Sequence, residues 1–216
     1  MSKGYSTSGA SVLVQLAAWR SDDSFRPVDP RVDIAATALI LVELLRLGKL
    51  AGKLEADGIF TLEVIDNSPV GDFIIDGMLF WTEVGGKSSA IDMLIEQAPT
   101  VIDRIHTSLI AQNVLLDSPN GLVIPANQQD ALRAVLRDTL FDPEATTYPH
   151  EALFHVLAAT YNPNAALFFS LVGLPFDRLI MEDLFARVSP WEKMDDEIKV
   201  SASLLMASLY EATKIS

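Results

Sequence analysis

The sequence predicts a mainly α fold: a hydrophobic central helix ringed by amphipathic helices, with short β-hairpins. Three observations predict it. The stretch from Asp29 to Gly48, DPRVDIAATALILVELLRLG, has Thr37 as its only polar residue between Ile34 and Val42, and a helix apolar on every side is normally buried all round. Elsewhere apolar residues recur at i, i+3 and i+4 in one segment after another, which is the spacing of a single helical face. Asp57-Gly58 and Asn120-Gly121 each sit between two short apolar runs, the strongest short-range hairpin signal. The strand–helix alternation of a doubly wound sheet is missing.

In chain order, residues 1–9 read as a flexible tail and Val12 to Trp19 as a short apolar helix. The polar stretch RSDDSFRPVDP then leads into the central helix, with Asp29 as N-cap, Pro30 at the first helical position and Gly48 as the left-handed C-cap. Leu50 to Leu54 and Ile59 to Val64 flank Glu55-Ala56-Asp57-Gly58 as the first hairpin. Asn67-Ser68-Pro69 breaks the chain before a helix over Asp72 to Glu83, whose apolar residues include Phe73, Ile74, Met78, Leu79 and Trp81. Gly85-Gly86 ends that helix, and Ser88 or Ser89 caps the next, which carries Ile91, Leu94 and Ile95. Pro99 is expected to separate it from a further helix bearing Val101, Ile102, Ile105, Leu109 and Ile110. A second hairpin pairs Val114 to Leu116 with Leu122 to Ile124, and helices follow at Gln128 to Leu140, His150 to Thr160, Pro163 to Val172, Phe176 to Val188 and Glu197 to Thr213.

A chain of 216 residues, half of them hydrophobic, suits a single domain over 1–216. Its net charge of −13 excludes a broad nucleic-acid footprint and weighs against strong adsorption to anionic membranes. The absence of cysteine rules out disulfides, thiolate metal sites and cysteine nucleophiles, and agrees with a reducing cytosol. The N-terminal apolar run, broken by Gln15, reads as no signal peptide. No run approaches the ~18 residues of a spanning helix. The expectation is a cytoplasmic protein.

Few residues suggest chemistry. His150 and His155 resemble a zinc-protease helix, but five residues turn a helix by about 500°, leaving the rings roughly 140° apart, so no metal is expected there. Glu151 and His155 read as a helix-surface pair, and His106 as a half-buried helix residue. Asp66, Asp72 and Asp76 invite an acid–base or Mg²⁺ reading, yet Asp72 follows Gly71 at a helix start, where a carboxylate caps, and Asp76 reads as simply exposed. Gly85-Gly86-Lys87-Ser88 lacks the spacing of a phosphate loop and reads as a connector. Asp195-Asp196-Glu197 is a solvated first turn, and the apolar run Ala165 to Phe176 reads as core, with a membrane-facing wedge as the alternative. An enzyme would have to rest on Asp66, Asp72 and His106, and no nucleophile, base and orienter is assembled by their spacing. No catalytic residue, metal or cofactor is expected.

Two linked motifs carry a family resemblance. Pro69-Val70-Gly71-Asp72-Phe73-Ile74-Ile75-Asp76-Gly77-Met78-Leu79 resembles the Pro-x-Gly-Asp-(apolar)₃-Asp-x-x-Leu signature of the Golgi phosphoprotein 3-like family. Leu41-Val42-Glu43-Leu44-Leu45-Arg46-Leu47-Gly48-Lys49-Leu50 is similar to that family's Leu-Ile-Glu-Leu-(x)₃-Gly-Arg-Leu helix end. Ser108 to Leu115 resembles its helix-to-hairpin junction, Leu-Val-x-x-Gly-(apolar)-Leu, and the likeness covers roughly residues 10–214. It implies a mainly helical, non-enzymatic protein, peripheral at a membrane, whose partners are an anionic lipid headgroup such as phosphatidylinositol 4-phosphate and membrane-protein tails; a homo-oligomer is also open. The family's headgroup pocket is not preserved. Its tryptophan falls near Arg26 to Val28, its first arginine at Thr37, and its arginine pair at Pro99 and Ile102. Phosphate recognition relies on guanidinium forks, so the remaining headgroup candidates are Phe25, Arg26, Arg31, Thr37 and Arg104. The alternative is a soluble scaffold or regulatory protein acting through protein contacts alone.

Overall fold

Helix α2 (Arg31–Arg46) has twelve of its sixteen residues buried, and α1 (Gly9–Ala17), α4 (Ala90–Ala111), α6 (Tyr148–Tyr161) and α7 (Asp196–Ile215) all pack on it. The computed structural model describes residues 9–20, 31–118, 121–141, 148–161, 173 and 194–215. Burying a Leu, Ile or Val side chain contributes about 1.5–3 kcal/mol, and α2 buries Val32, Ile34, Leu39, Ile40, Leu41, Val42, Leu44 and Leu45. Ala35, Ala36 and Ala38 between them are wholly buried and keep that surface low. The buried residues from α1 to α7 form one core. The class is therefore mainly α, with short strand pairs.

Chain reversals at the helix ends follow from local chemistry. Gly48 has φ 65°; its N–H donates to the Leu45 carbonyl (3.0 Å) and the Lys49 N–H to that of Leu44 (2.9 Å), the pattern of a Schellman cap. Asn113 repeats it at the end of α4, with φ 57° and bonds from Asn113 N–H to Ile110 and from Val114 N–H to Leu109, both 2.9 Å. Asparagine is one of the few residues that visits this left-handed region readily.

Strands β2 (Leu50–Leu54) and β3 (Phe60–Val64) form the first hairpin, and β5 (Leu116–Ser118) and β6 (Gly121–Ile124) the second. Each gains a third strand that the sequence reading did not foresee. β4 (Ser88–Ser89) pairs with β3, and β1 (Trp19–Arg20) runs parallel to β6. Trp19 accordingly lies in a strand, and α1 spans Gly9–Ala17 instead of Val12 to Trp19. Helix α5 (Ala126–Phe141) ties the second sheet back to α1.

Pro99 does not separate two helices. It lies inside α4, a single helix of 22 residues. A proline there forfeits the bond to the carbonyl four residues back at a cost of about 3 kcal/mol. Leu94 and Ala98 before it and Val101, Ile102 and Ile105 after it are all buried, and α4 packs against α2. The expected helices at Pro163 to Val172 and Phe176 to Val188, and the apolar run Ala165 to Phe176, lie outside the described residues apart from Gly173.

Gly52 marks the contact between the first hairpin and α7. A Cβ at this position would lie 2.5 Å from Cζ of Phe60 and 2.7 Å from Oγ of Ser201. Phe60 is buried, so Gly52→Ala is expected to destabilise the fold by about 1–3 kcal/mol through overpacking. Urea denaturation followed by helical circular dichroism reads this as a lower midpoint; an unchanged midpoint would show that the hairpin does not press on α7.

Candidate functional site

The segment that enters α3 (Phe73–Gly85) is built from carboxylates and free backbone N–H groups. Asp72 is the N-cap: its Oδ1 accepts from the N–H of Ile74 (2.9 Å) and Ile75 (3.1 Å). Asp76 is more than an exposed residue. Its carboxylate accepts from the N–H of Val70 (2.6 Å) and Gly71 (3.0 Å), folding the preceding loop back on the helix while Gly71 takes φ 91°. Both carboxylates also sit where the helix dipole favours negative charge. They are spent on the backbone.

Beyond this entry, the end of β3 and the last turns of α3 enclose an open cleft of about 480 Å³. Its polar lining is Glu63, Asp66, Asn67, Thr82, Glu83 and Lys87. Asp66 is held from behind by Lys49, whose Nζ lies 2.6 Å from Oδ2 and donates also to Ser68 Oγ (2.6 Å). The Ser68 N–H donates to Oδ1 of Asp66 at 2.8 Å. The Lys49 ammonium and then the Ser68 N–H lower the Asp66 pKa to about 2. Across the cleft the Asn67 amide donates to Glu83 (2.6 Å). Lys87 is paired with Glu55, which also faces Lys53 at 3.7 Å; this bond to Lys87 holds Glu55 below the usual carboxylate range and pushes Lys87 up. Glu63 makes no ion pair among the described residues.

The cleft is therefore acidic. With Asp66 paired to Lys49 and Lys87 to Glu55, Glu63 and Glu83 are the lining charges that remain, and the carboxyl end of α3 adds its negative dipole. Among the described residues no three of His, Asp and Glu gather as a metal site.

A depressed carboxylate pKa makes folding sensitive to acid in a stated direction. Asp66 titrates at about 2 in the folded chain against 3.8 ordinarily, so its pairing with Lys49 stabilises the fold fully above about pH 4, and that contribution is lost as pH falls to about 2. Asp66→Asn is expected to flatten the acid limb of a stability–pH curve over that window. A limb identical to that of the parent chain would show the pair absent in solution.

The headgroup candidates are scattered. Thr37 lies in the core with no exposed surface, its hydroxyl donating to the Asp33 carbonyl at 2.9 Å; the buried position of α2 removes it from any headgroup. Arg31 is half-buried at the start of α2. Arg104 lies on α4 against α3, its guanidinium 5.1 Å from the Phe73 ring centre. Phe25 and Arg26 fall outside the described residues, and Pro99 and the buried Ile102 sit within α4. His106 is half-buried on α4, where desolvation lowers its pKa against a smaller opposing effect of Asp103. No hydrogen bond joins His106 to Asp66 or Asp72 among the described residues. Burial lowers His155 likewise, and the side chains of His150 and Glu151 lie outside the description. Gly86, at φ 69°, closes α3, as expected of a connector.

The cleft residues escaped the sequence reading because they come from two segments, 63–67 and 82–87, that tertiary contacts such as the pairing of Thr61 with Ser89 and Leu62 with Ser88 bring together. Compared with protein-family models and with curated protein sequences, the chain matches none.

Proposed function

We propose that the protein is a non-enzymatic adaptor, peripheral at a membrane, that holds cationic tails of membrane proteins in the acidic cleft between β3 and α3. The observation that carries this reading is the cleft's charge: among the described residues Glu63 makes no hydrogen bond or ion pair and the Glu83 carboxylate accepts only from the neutral Asn67 amide. Cytoplasmic loops next to membrane spans are enriched in Lys and Arg, and such a side chain reaching Glu63 and Glu83 would form charge-assisted hydrogen bonds. The resemblance to the Golgi phosphoprotein 3-like family supports the class. The residues that carry the resemblance include Gly48, in a left-handed cap, and Gly71-Asp72, at the α3 entry. The proposal does not use that family's lipid pocket, since Thr37 is in the core.

Fluorescence polarisation with a labelled peptide of alternating Leu and Arg tests it. Binding is expected to weaken with salt, and Glu63→Lys combined with Glu83→Gln is expected to lower affinity about tenfold or more, as for loss of one or two charged hydrogen bonds. Affinity that survives both changes would remove the cleft from the function and favour a soluble scaffold working through other surfaces.

A further inference from the structure

The outer face of α3 is apolar where a surface helix is ordinarily polar. Its inner face buries Ile74, Ile75, Met78 and Leu79. Phe73, Phe80 and Val84 share a second stripe about 40° wide, with Trp81 at its side, and the four are 61%, 55%, 63% and 42% exposed. From Phe73 to Val84 the stripe runs about 16 Å. All four side chains come from one helix, so they form a ridge.

Arg104 lies along this ridge. Gly77 makes room for it: a Cβ there would fall 2.0 Å from Nη1 of Arg104. The guanidinium stacks over Phe73, and its one hydrogen bond among the described residues is a long 3.4 Å contact to the Phe73 carbonyl. No carboxylate pairs with it among the described residues, in a chain with 29 acidic and 16 basic side chains. Most of its five N–H donors remain unspent.

We propose that α3 is the face on which the protein rests against a phospholipid bilayer, with Phe73, Phe80, Trp81 and Val84 entering the interfacial layer and Arg104 donating to a lipid phosphate. This rests on the adaptor reading above and names its membrane surface. Trp and Phe favour the headgroup boundary, and a ridge suits a soft flat surface, whereas a bound peptide strand or helix needs an edge or a groove. Guanidinium and phosphate are complementary in charge and fork geometry. Asp72 and Asp76, beside the ridge, are committed to backbone N–H groups. The net charge of −13 opposes anionic bilayers, so the surface that fits is zwitterionic phosphatidylcholine, whose phosphate Arg104 can reach without a net negative field. Glu83 shares α3 with Phe80 and Val84, so the acidic cleft would open at the bilayer surface, where a tail leaves the membrane.

Flotation with vesicles of phosphatidylcholine, alone and with phosphatidylserine added, tests this on the full chain. The parent protein is expected to float with phosphatidylcholine and less well once phosphatidylserine is added. Phe80→Ser with Val84→Ser is expected to weaken binding about tenfold or more, from the apolar surface withdrawn, and Arg104→Gln to weaken it by a smaller factor. Because Phe80 and Val84 are exposed, thermal melts of the double variant are expected to match the parent. Flotation undiminished in the double variant overturns the inference while the adaptor reading survives. Failure of the parent to float with any vesicle overturns the inference and the membrane half of that reading together. Binding confined to phosphatidylserine vesicles and unaffected by Arg104→Gln, or loss of peptide affinity instead of vesicle affinity in the double variant, also overturns it.

Discussion

Thr37→Arg is expected to remove most of the protein's folding stability at 25 °C. Position 37 has no exposed surface, and helices pack on α2 from several directions, so the guanidinium has no short route to water. An unpaired buried charge costs several kcal/mol after relaxation, and the added volume costs about 1–3 kcal/mol more. A domain of this size is typically stable by about 5–15 kcal/mol. The sum consumes most of that margin. Thr37→Val is the control: it removes the hydroxyl bond to Asp33 at a cost of roughly 1 kcal/mol or less. Urea denaturation of both variants reads the difference. A Thr37→Arg protein with the parent midpoint would mean that this side of α2 is open, and that an arginine here can serve a headgroup as the family resemblance implies.

Gln129→Glu is expected to be the next most damaging single change. Gln129 is fully buried on α5, and its amide nitrogen lies 3.1 Å from each of three carbonyls, those of Gln15, Leu16 and Ala18. The two N–H groups of one side chain are thus shared among three carbonyls at the carboxyl end of α1, whose last carbonyls lack helical partners. A carboxylate would turn this donor into a second acceptor facing three acceptors in a buried site, at about 3–5 kcal/mol. Gln129→Leu is expected to cost less, about 2 kcal/mol, because it also removes the amide oxygen, which is buried without a partner among the described residues. The glutamate variant is further expected to recover part of its loss in acid, where a protonated carboxyl donates again. Denaturation midpoints in the order parent, leucine, glutamate at neutral pH are the expected result; equal midpoints for the two variants would contradict it.

These two sites differ in how far the sequence disclosed them. Burial of α2 was legible because apolar residues covered the whole helix, and Gly48 marked its end. Asp72 was legible as a cap because it follows a glycine and precedes a helical stripe. Gln129 was not, because its partners lie more than a hundred residues away. Pro99 misled for a related reason: the local cost of a proline was visible, and the packing against α2 that outweighs it was not. Strands β1 and β4 have two residues each, too few for alternation to register. Asp76 read as a surface residue because its partners are N–H groups of Val70 and Gly71, which no side-chain pattern marks. The cleft is tertiary throughout, assembled when β4 joins β3 and brings Lys87 to Glu55.

Hydrogen–deuterium exchange of the chain, free and with the saturating Leu-Arg peptide, tests the central claim most directly, that a buried α2 supports an acidic cleft that takes cationic tails. Amides of α2 are expected to exchange slowest, near the limit set by global unfolding, and the peptide is expected to add protection at 63–67 and 82–87. Fast exchange in α2, or peptide protection that leaves both cleft segments unchanged, would contradict it.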